Sequence, residues 1–198
     1  MDFFATKDRE IRGALKHRLF NDYLECPRAK IIEELGVTNG DARIDVALVH
    51  DILHGFELKS DADTLDRLPM QMKMYNLVFD KLTLVVGKSH LYDALRIVPD
   101  WWGIVLVKYS PDGEMVFCEI RKSSDNPNQD LYSFAALLWK DEALEILGTF
   151  GVVKGVRSKT KAFLFTKLVE TVSPQNLKFE VIQKLHSRKN WRADVVHS

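Results

Sequence analysis

Asp45, Glu57 and Lys59 put two carboxylates and an amine within a short stretch of chain, a combination suited to acid, base or metal chemistry. Asp45 interrupts an apolar run, Ile44-Asp45-Val46-Ala47-Leu48-Val49, and Glu57 and Lys59 stand two apart in Phe56-Glu57-Leu58-Lys59-Ser60. If both runs are strands, Glu57 and Lys59 share one face while Phe56 and Leu58 turn into the core. Two carboxylates on neighbouring strands make a divalent-cation site, and a lysine beside them is placed to act on a water or a phosphate. Mg2+ prefers oxygen ligands and keeps several waters, so a few carboxylates suffice. It activates bound water and stabilises the attacking and leaving oxygens of a phosphodiester. The pattern therefore points to metal-dependent phosphodiester cleavage, with Mn2+ able to replace Mg2+. Asp45, Glu57 and the Leu58 backbone carbonyl are the expected ligands, with Glu34 (or its neighbour Glu33) adding a carboxylate directly or through water. Lys59 would orient the water or stabilise the transition state as a point charge. The bland reading of Glu57 and Lys59 is an exposed cross-strand pair of small energetic weight.

These residues need a sheet to hold them. Residues 43–49 and 55–60 read as two strands joined by a hairpin loop, and Lys30–Leu35 as a short strand before them. A helix from about 67 or 68 to Phe79 follows, with Pro69 in its first turn and Asp61, Asp63 and Thr64 as capping groups. The apolar run Lys81–Val86 is the next strand, so strand, helix, strand implies a right-handed parallel crossover. Apolar residues at Ile11, Leu15, Leu19 and Leu24 mark an N-terminal helix ended by Cys26-Pro27. A short helix at Ser89–Ile97 precedes strands at 103–109 and 114–121, separated by the turn Ser110-Pro111-Asp112-Gly113. Ser123–Asp130 is free of apolar residues and reads as a linker. Helices at about 131–148, 158–172 and 174–188 follow. This is an α/β chain whose core over residues 1–122 has a central mixed β-sheet flanked by helices. Residues 131–198 form a C-terminal basic helical appendage, packed on the core or part of a single domain.

The elements bring in a fuller resemblance. Asp45, then Glu57-Leu58-Lys59 after a short hairpin, then Gln71-x-x-x-Tyr75 on the next helix resembles the PD-(D/E)XK nuclease superfamily, with its restriction-endonuclease-like fold. Gln71 and Tyr75 look like the motif of RecB-type branches, and Glu34 like their upstream glutamate. The flanking text resembles a small stand-alone bacterial and phage group. The resemblance covers about residues 30–87. It implies a catalytic set of Asp45, Glu57, Lys59, Gln71 and Tyr75, and metal ligands Glu34, Asp45, Glu57 and Leu58. It also implies a Mg2+-dependent deoxyribonuclease acting in repair, phage or mobile-element DNA processing. The rival expectation is a catalytically inactive nucleic-acid-binding or accessory protein that keeps the fold. At the position before Asp45 the chain has Ile44 instead of the proline of the superfamily name. Read blandly, Gln71 and Tyr75 are an i,i+4 helix-surface contact.

The formal net charge of the 198 residues is zero, which hides an asymmetry. From Gly151 onward there are ten Lys or Arg against three acids, a surplus of seven positive charges balanced by the preceding residues. Such a division points to a polyanion. Arg43, Arg67, Lys154, Arg157, Lys159, Lys161, Arg188, Lys189 and Arg192 are the candidate DNA contacts, although Arg43 and Arg67 could equally clamp the acids. Helices around Val152-Val153-Lys154-Gly155 resemble a helix-turn-helix loosely. Trp101-Trp102 is expected to pack over the sheet edge, with base stacking as the lesser reading. No apolar run is long enough to span a bilayer and the N-terminus lacks a signal-peptide pattern, so a cytoplasmic protein with no membrane partner is expected. Cys26 and Cys118 are expected to be free. A homodimer would suit the expected chemistry, since cutting both strands of a duplex usually needs two such sites.

Overall fold

The computed structural model describes residues 5–26 and 28–188. Six strands form one sheet in chain order: β1 (Lys30–Val37), β2 (Ala42–Val49), β3 (Leu53–Lys59), β4 (Lys81–Gly87), β5 (Gly103–Tyr109) and β6 (Met115–Arg121). The first three are antiparallel neighbours, β3–β4 and β4–β5 are parallel, and β5–β6 is antiparallel. The sheet is therefore mixed. β4 is buried along nearly its whole length, as its unbroken apolar run requires of a parallel strand covered on both faces.

One face carries α2 (Leu68–Tyr75), α3 (Leu91–Ile97), α4 (Leu131–Ala135), α5 (Lys140–Thr149), α6 (Lys161–Thr171) and α7 (Pro174–Ser187). A continuous apolar cluster joins strand residues Ile44, Leu84 and Ile104 to Leu147, Leu164 and Val181 of these helices. The other face receives α1 (Asp8–Asp22), whose Ile11, Leu15 and Leu19 pack on Val46, Leu48, Phe56 and Leu58. Both faces near the start of the sheet are thus buried. Phe56 and Leu58 meet α1 while Glu57 and Lys59, also buried, lie on the opposite side. The exposed cross-strand pair reading of Glu57 and Lys59 does not hold.

Several elements differ from expectation. Residues 123–130 form a strap instead of a loose linker. The Asn126 side chain donates to the carbonyls of Asn76 and Phe79, and the Asp130 amide donates to Leu77. Asp130 then caps α4 by accepting from the Ser133 amide. The expected helix over 131–148 is two helices. α2 stops at Tyr75, and no side chain caps its N-terminus. Asp63 instead accepts from the Ser60 amide, and Asp61 accepts from the amides of Thr6 and Ser89. Gly87 permits this junction, because a Cβ there would lie 2.7 Å from the Asp61 nitrogen. Residues 150–160 between α5 and α6 are too many for the turn of about 3–4 residues in a helix-turn-helix. Trp102 is fully buried, stacks on Tyr75 and donates to Asn76 Oδ1, so it is core and not a base platform.

His54 ties the middle of the sheet to pH. Its ring stacks on Phe56 at 4.2 Å and Nε2 lies 2.9 Å from Thr83 Oγ1. Burial, helped by Lys81 and His50, pulls its pKa down to about 3. Between that value and the unfolded value near 6.5, the unfolded chain binds more protons. Stability from this group is present above pH ~6.5 and lost as pH falls toward 3, by at most about 1.4 kcal/mol per unit. Urea denaturation at pH 7 and 5 should show a steeper fall for wild type than for His54→Asn. Parallel losses would exclude His54 as the source.

Candidate functional site: an acidic cavity beside a paired arginine

The open end of the first three strands brings three carboxylates into line. Glu33 pairs with Val46 and Leu35 with Ile44, which sets Glu34 opposite Asp45. Val46 and Phe56 are a β2–β3 pair, and the same register continued sets Asp45 opposite Glu57. Like charges placed across strands are destabilising without a counter-ion. Glu34 has φ +53°, a left-handed conformation that costs a non-glycine residue about 1–3 kcal/mol. Glu33 instead faces Lys16 at 2.6 Å, so of the two neighbours it is Glu34 that reaches the cavity.

The cavity, of about 580 Å3, is lined by Glu34, Asp45, Glu57, Leu58, Lys59 and Gln71, and Arg43 and Arg67 line it as well. The structure therefore gathers the residues that the sequence singled out between 34 and 71. Lys59 Nζ donates to Glu57 Oε1 at 2.6 Å and to Gln71 Oε1 at 3.3 Å. Gln71 Nε2 donates to the Tyr75 hydroxyl, which donates in turn to the Arg43 carbonyl at 2.5 Å. Tyr75 is fully buried and braces β2 against α2. Its contact with Gln71 is real, but it lies in the core and not on a helix surface. Burial, with Asp45 adding, pushes the Glu57 carboxyl up to about 7 against the pull of Lys59. Glu57 Oε2 is buried and, among the described residues, meets no donor in good hydrogen-bond geometry, although the Tyr75 hydroxyl lies close enough to help hold the carboxyl down.

Asp45 is engaged at both oxygens. Oδ2 accepts from the Leu58 amide at 2.8 Å, and Oδ1 accepts from Arg12 Nη2 at 2.7 Å. Burial still raises the Asp45 pKa, against the Leu58 amide and Arg12. Arg12 also reaches the Asp45 carbonyl at 2.8 Å, Glu34 at 3.0 Å and Asp8 at 3.3 Å. Burial opposes the Arg12 charge, but these carboxylates outweigh it and raise the pKa. Sequence reasoning missed Arg12 and Asp8. Their i,i+4 spacing is visible, but nothing local signals that Arg12 meets a strand 33 residues away.

A divalent cation fits this cavity only in part. The buried Glu57 Oε2 and the aligned carboxylates suit one, yet Arg12 holds the oxygens it would take. Among the described residues, no group of three or more His, Cys, Asp and Glu is arranged to hold a metal ion. The contact Leu58 makes with Asp45 is through its amide.

The basic residues separate into different places. Lys154, Arg157, Lys159 and Lys161 are all exposed on the α5–α6 connection and the start of α6. No ion pair to any of them is found among the described residues. Arg188, expected on a DNA face, is 6 % exposed and pairs with Glu142 at 2.5 Å. Its burial excludes a phosphate contact. Lys189 and Arg192 lie outside the described residues. Among those described, no helix is long and apolar enough to cross a membrane, and Cys26 and Cys118 are free.

A family model for bacteriophage P4 protein cII matches residues 5–196. Protein cII of Enterobacteria phage P4 is 28% identical over 146 residues, covering 74% of this chain and 54% of the relative. The chain thus spans about half the length of the curated relative it matches. No solved structure matches significantly. These findings correct the expected assignment to the PD-(D/E)XK nucleases, and with it the Mg2+-dependent deoxyribonuclease activity, the hydrolase class and the role in DNA repair. Neither matched protein is described as a nuclease. The acid-x-Lys triplet is short enough to recur by chance, and here its members are paired to each other. The chain belongs to the bacteriophage P4 protein cII family.

Proposed function

We propose that this chain is a DNA-binding regulatory protein that acts by occupying DNA. The observation that carries the reading is the α5–α6 connection, where four cations stand exposed with no acidic partner among the described residues. Such cations neutralise backbone phosphates and release counterions, a sequence-independent source of affinity. Membership of a bacteriophage family and the charge surplus of the C-terminal segment support the same partner. Arg43 and Arg67, exposed at the acidic cavity, are a second place for phosphate. Action on DNA would place the protein in the cytoplasm.

The cavity itself is proposed to accept Mg2+, or Mn2+ in its place, when Arg12 moves aside. Asp45 and Glu57 would hold the ion with waters in its remaining positions, and it would supply positive charge toward a phosphate. Gln71 keeps Lys59 against Glu57, and Tyr75 keeps α2 against β2, so this chain's own residues position the cavity in either state.

Fluorescence anisotropy with a labelled duplex tests the DNA reading. Four phosphate contacts predict an affinity that falls by about a hundredfold between 50 and 200 mM salt. Absence of binding at 50 mM salt, or binding indifferent to salt, would reject it.

A further inference from the structure

On the α1 side of the sheet, the helix covers only part of the strands. Ile11, Leu15 and Leu19 pack on β2 and β3, while Val105 of β5 and Phe117 of β6 stay half-buried beside them. The gap is a cavity of about 320 Å3 between α1, strands β3 to β6 and the start of the 123–130 strap. Five rings line it: Tyr23, His50, His54, Phe56 and Phe117. His54 stacks on Phe56 at 4.2 Å and Tyr23 leans on His50 at 5.3 Å, so the walls present flat faces. The β5–β6 ladder shifts register between Ile104 and Val105, at the wall formed by Val105, Glu119 and Arg121. Such bulges recur beside functional sites, where they re-aim side chains. Gly103 lets the strap close in, because a Cβ there would lie 3.0 Å from the Ser123 nitrogen and 2.7 Å from Thr83 Oγ1.

The rim is positive. Arg18, Lys81, Arg121 and Lys122 stand there against two carboxylates, Asp22 and Glu119. Arg18 is committed to Asp22, and Arg121 to Asp100 and the carbonyls of Pro99 and Trp102. The two lysines are less engaged. Lys81 faces Asp125 at 3.5 Å, but that carboxylate is 93 % exposed, and Lys122 makes no ion pair among the described residues. Lys81 is also felt inside the cavity, since after burial it helps to lower the pKa of both His50 and His54.

We propose that this cavity binds a small aromatic anion, a planar apolar body that carries one carboxylate, sulfonate or phosphate group. The rings and Val105 take the body, and Lys81 and Lys122 take the charge. Apolar cavities of roughly 300–1,000 Å3 with a few well-placed polar groups are the common form of small-molecule sites. Occupancy removes the half-exposed faces of Val105 and Phe117 from water, which supplies most of the affinity. The lysines sit near solvent, so their share is modest and weakens with salt. The cavity lies across the sheet from α5 and α6, so a bound anion and DNA on the α5–α6 connection do not compete for the same surface. The site stands whether or not the chain binds DNA or a metal ion.

Fluorescence titration of the full chain with anilinonaphthalene sulfonate, set against the uncharged phenylnaphthylamine, tests the site. The two probes share an aromatic body and differ in the charge. Wild type should bind the sulfonate saturably and at least about threefold more tightly than the amine. Replacing Lys81 and Lys122 together by glutamine should remove that preference and leave amine binding within about twofold of wild type. Val105→Trp, which fills the cavity, should weaken both probes by at least about tenfold. Val105→Met narrows it less, should weaken both by at least about threefold, and serves if the tryptophan variant does not fold. Phe179→Ser, at an exposed ring on α7 across the sheet, should leave both affinities unchanged. Equal affinity of wild type for the two probes would overturn the anion site. So would the absence of saturable binding, or binding that survives both Val105 variants unchanged. A loss in Phe179→Ser equal to that in the Val105 variants would overturn it too, as adventitious binding to exposed apolar surface.

Discussion

Replacing Lys154, Arg157, Lys159 and Lys161 together by glutamine should lower duplex DNA affinity by about a hundredfold or more at 50 mM salt. The same variant should remove about 3–4 units from the slope of log affinity against log salt, because each lost phosphate contact removes about 0.9. The fold should survive. All four side chains are exposed, and substitutions at such positions usually change stability by under about 0.5 kcal/mol. Among the described residues they make one ring contact, Lys159 over Phe163 at 5.2 Å, weak at an exposed site. Thr160, which caps α6 by accepting from the Phe163 amide, is left in place. Anisotropy across a salt series reads both quantities. A variant that binds with the affinity and slope of wild type would remove the α5–α6 connection from the interface and with it the main support for the DNA reading.

Arg188→Ala should destabilise the protein by about 3–5 kcal/mol. Arg188 donates through Nε and Nη2 to Glu142 at 2.7 and 2.5 Å, donates to the Leu137 carbonyl at 2.8 Å, and lies 4.2 Å from the centre of the Trp139 ring. Removing the guanidinium leaves Glu142 with 12 % of its side chain exposed and without this partner, and leaves the Leu137 carbonyl without its donor. Breaking one side of such a pair is costly because the remaining charge stays buried. The loss reaches further along the chain. Lys30 of β1 donates to the carbonyls of Leu185, His186 and Arg188, so the end of α7 is held from two sides. Urea denaturation of wild type, Arg188→Ala and Arg188→Met measures the effect. Methionine restores contact with Trp139 but not the pair, so it should recover only part of the loss. A cost below about 1 kcal/mol for the alanine variant would show that Glu142 finds water or another donor.

Most strands, the β3–α2–β4 crossover and the β2–β3 and β5–β6 connections are legible because apolar runs and turn residues mark them locally, whereas the order of the strands in the sheet is not. The convergence of Glu34, Asp45, Glu57, Lys59 and Gln71 is legible too, since strand alternation and register carry it. The family was not legible. A short acid-x-Lys motif says which groups can meet, not which lineage arranged them. The strap at 123–130 was misread because its polar side chains bind backbone carbonyls of other elements, a use that composition cannot distinguish from a solvated linker. Arg188 was grouped with surface cations because a charge count ignores burial.

An α/β chain with a mixed sheet, a cluster of acids and a lysine at one end of it, and a positive C-terminal segment can all be read from the residues in order. Those features depend on local periodicity and on charge, which are written residue by residue. What each charge faces depends on how the elements pack. Packing α1 across β2 and β3 carries Arg12 onto Asp45 and Glu34, and docking the end of α7 buries Arg188 on Glu142. Both pairings join groups far apart in the chain, so the energy of neutralising a charge appears only after the apolar faces have set the elements against one another.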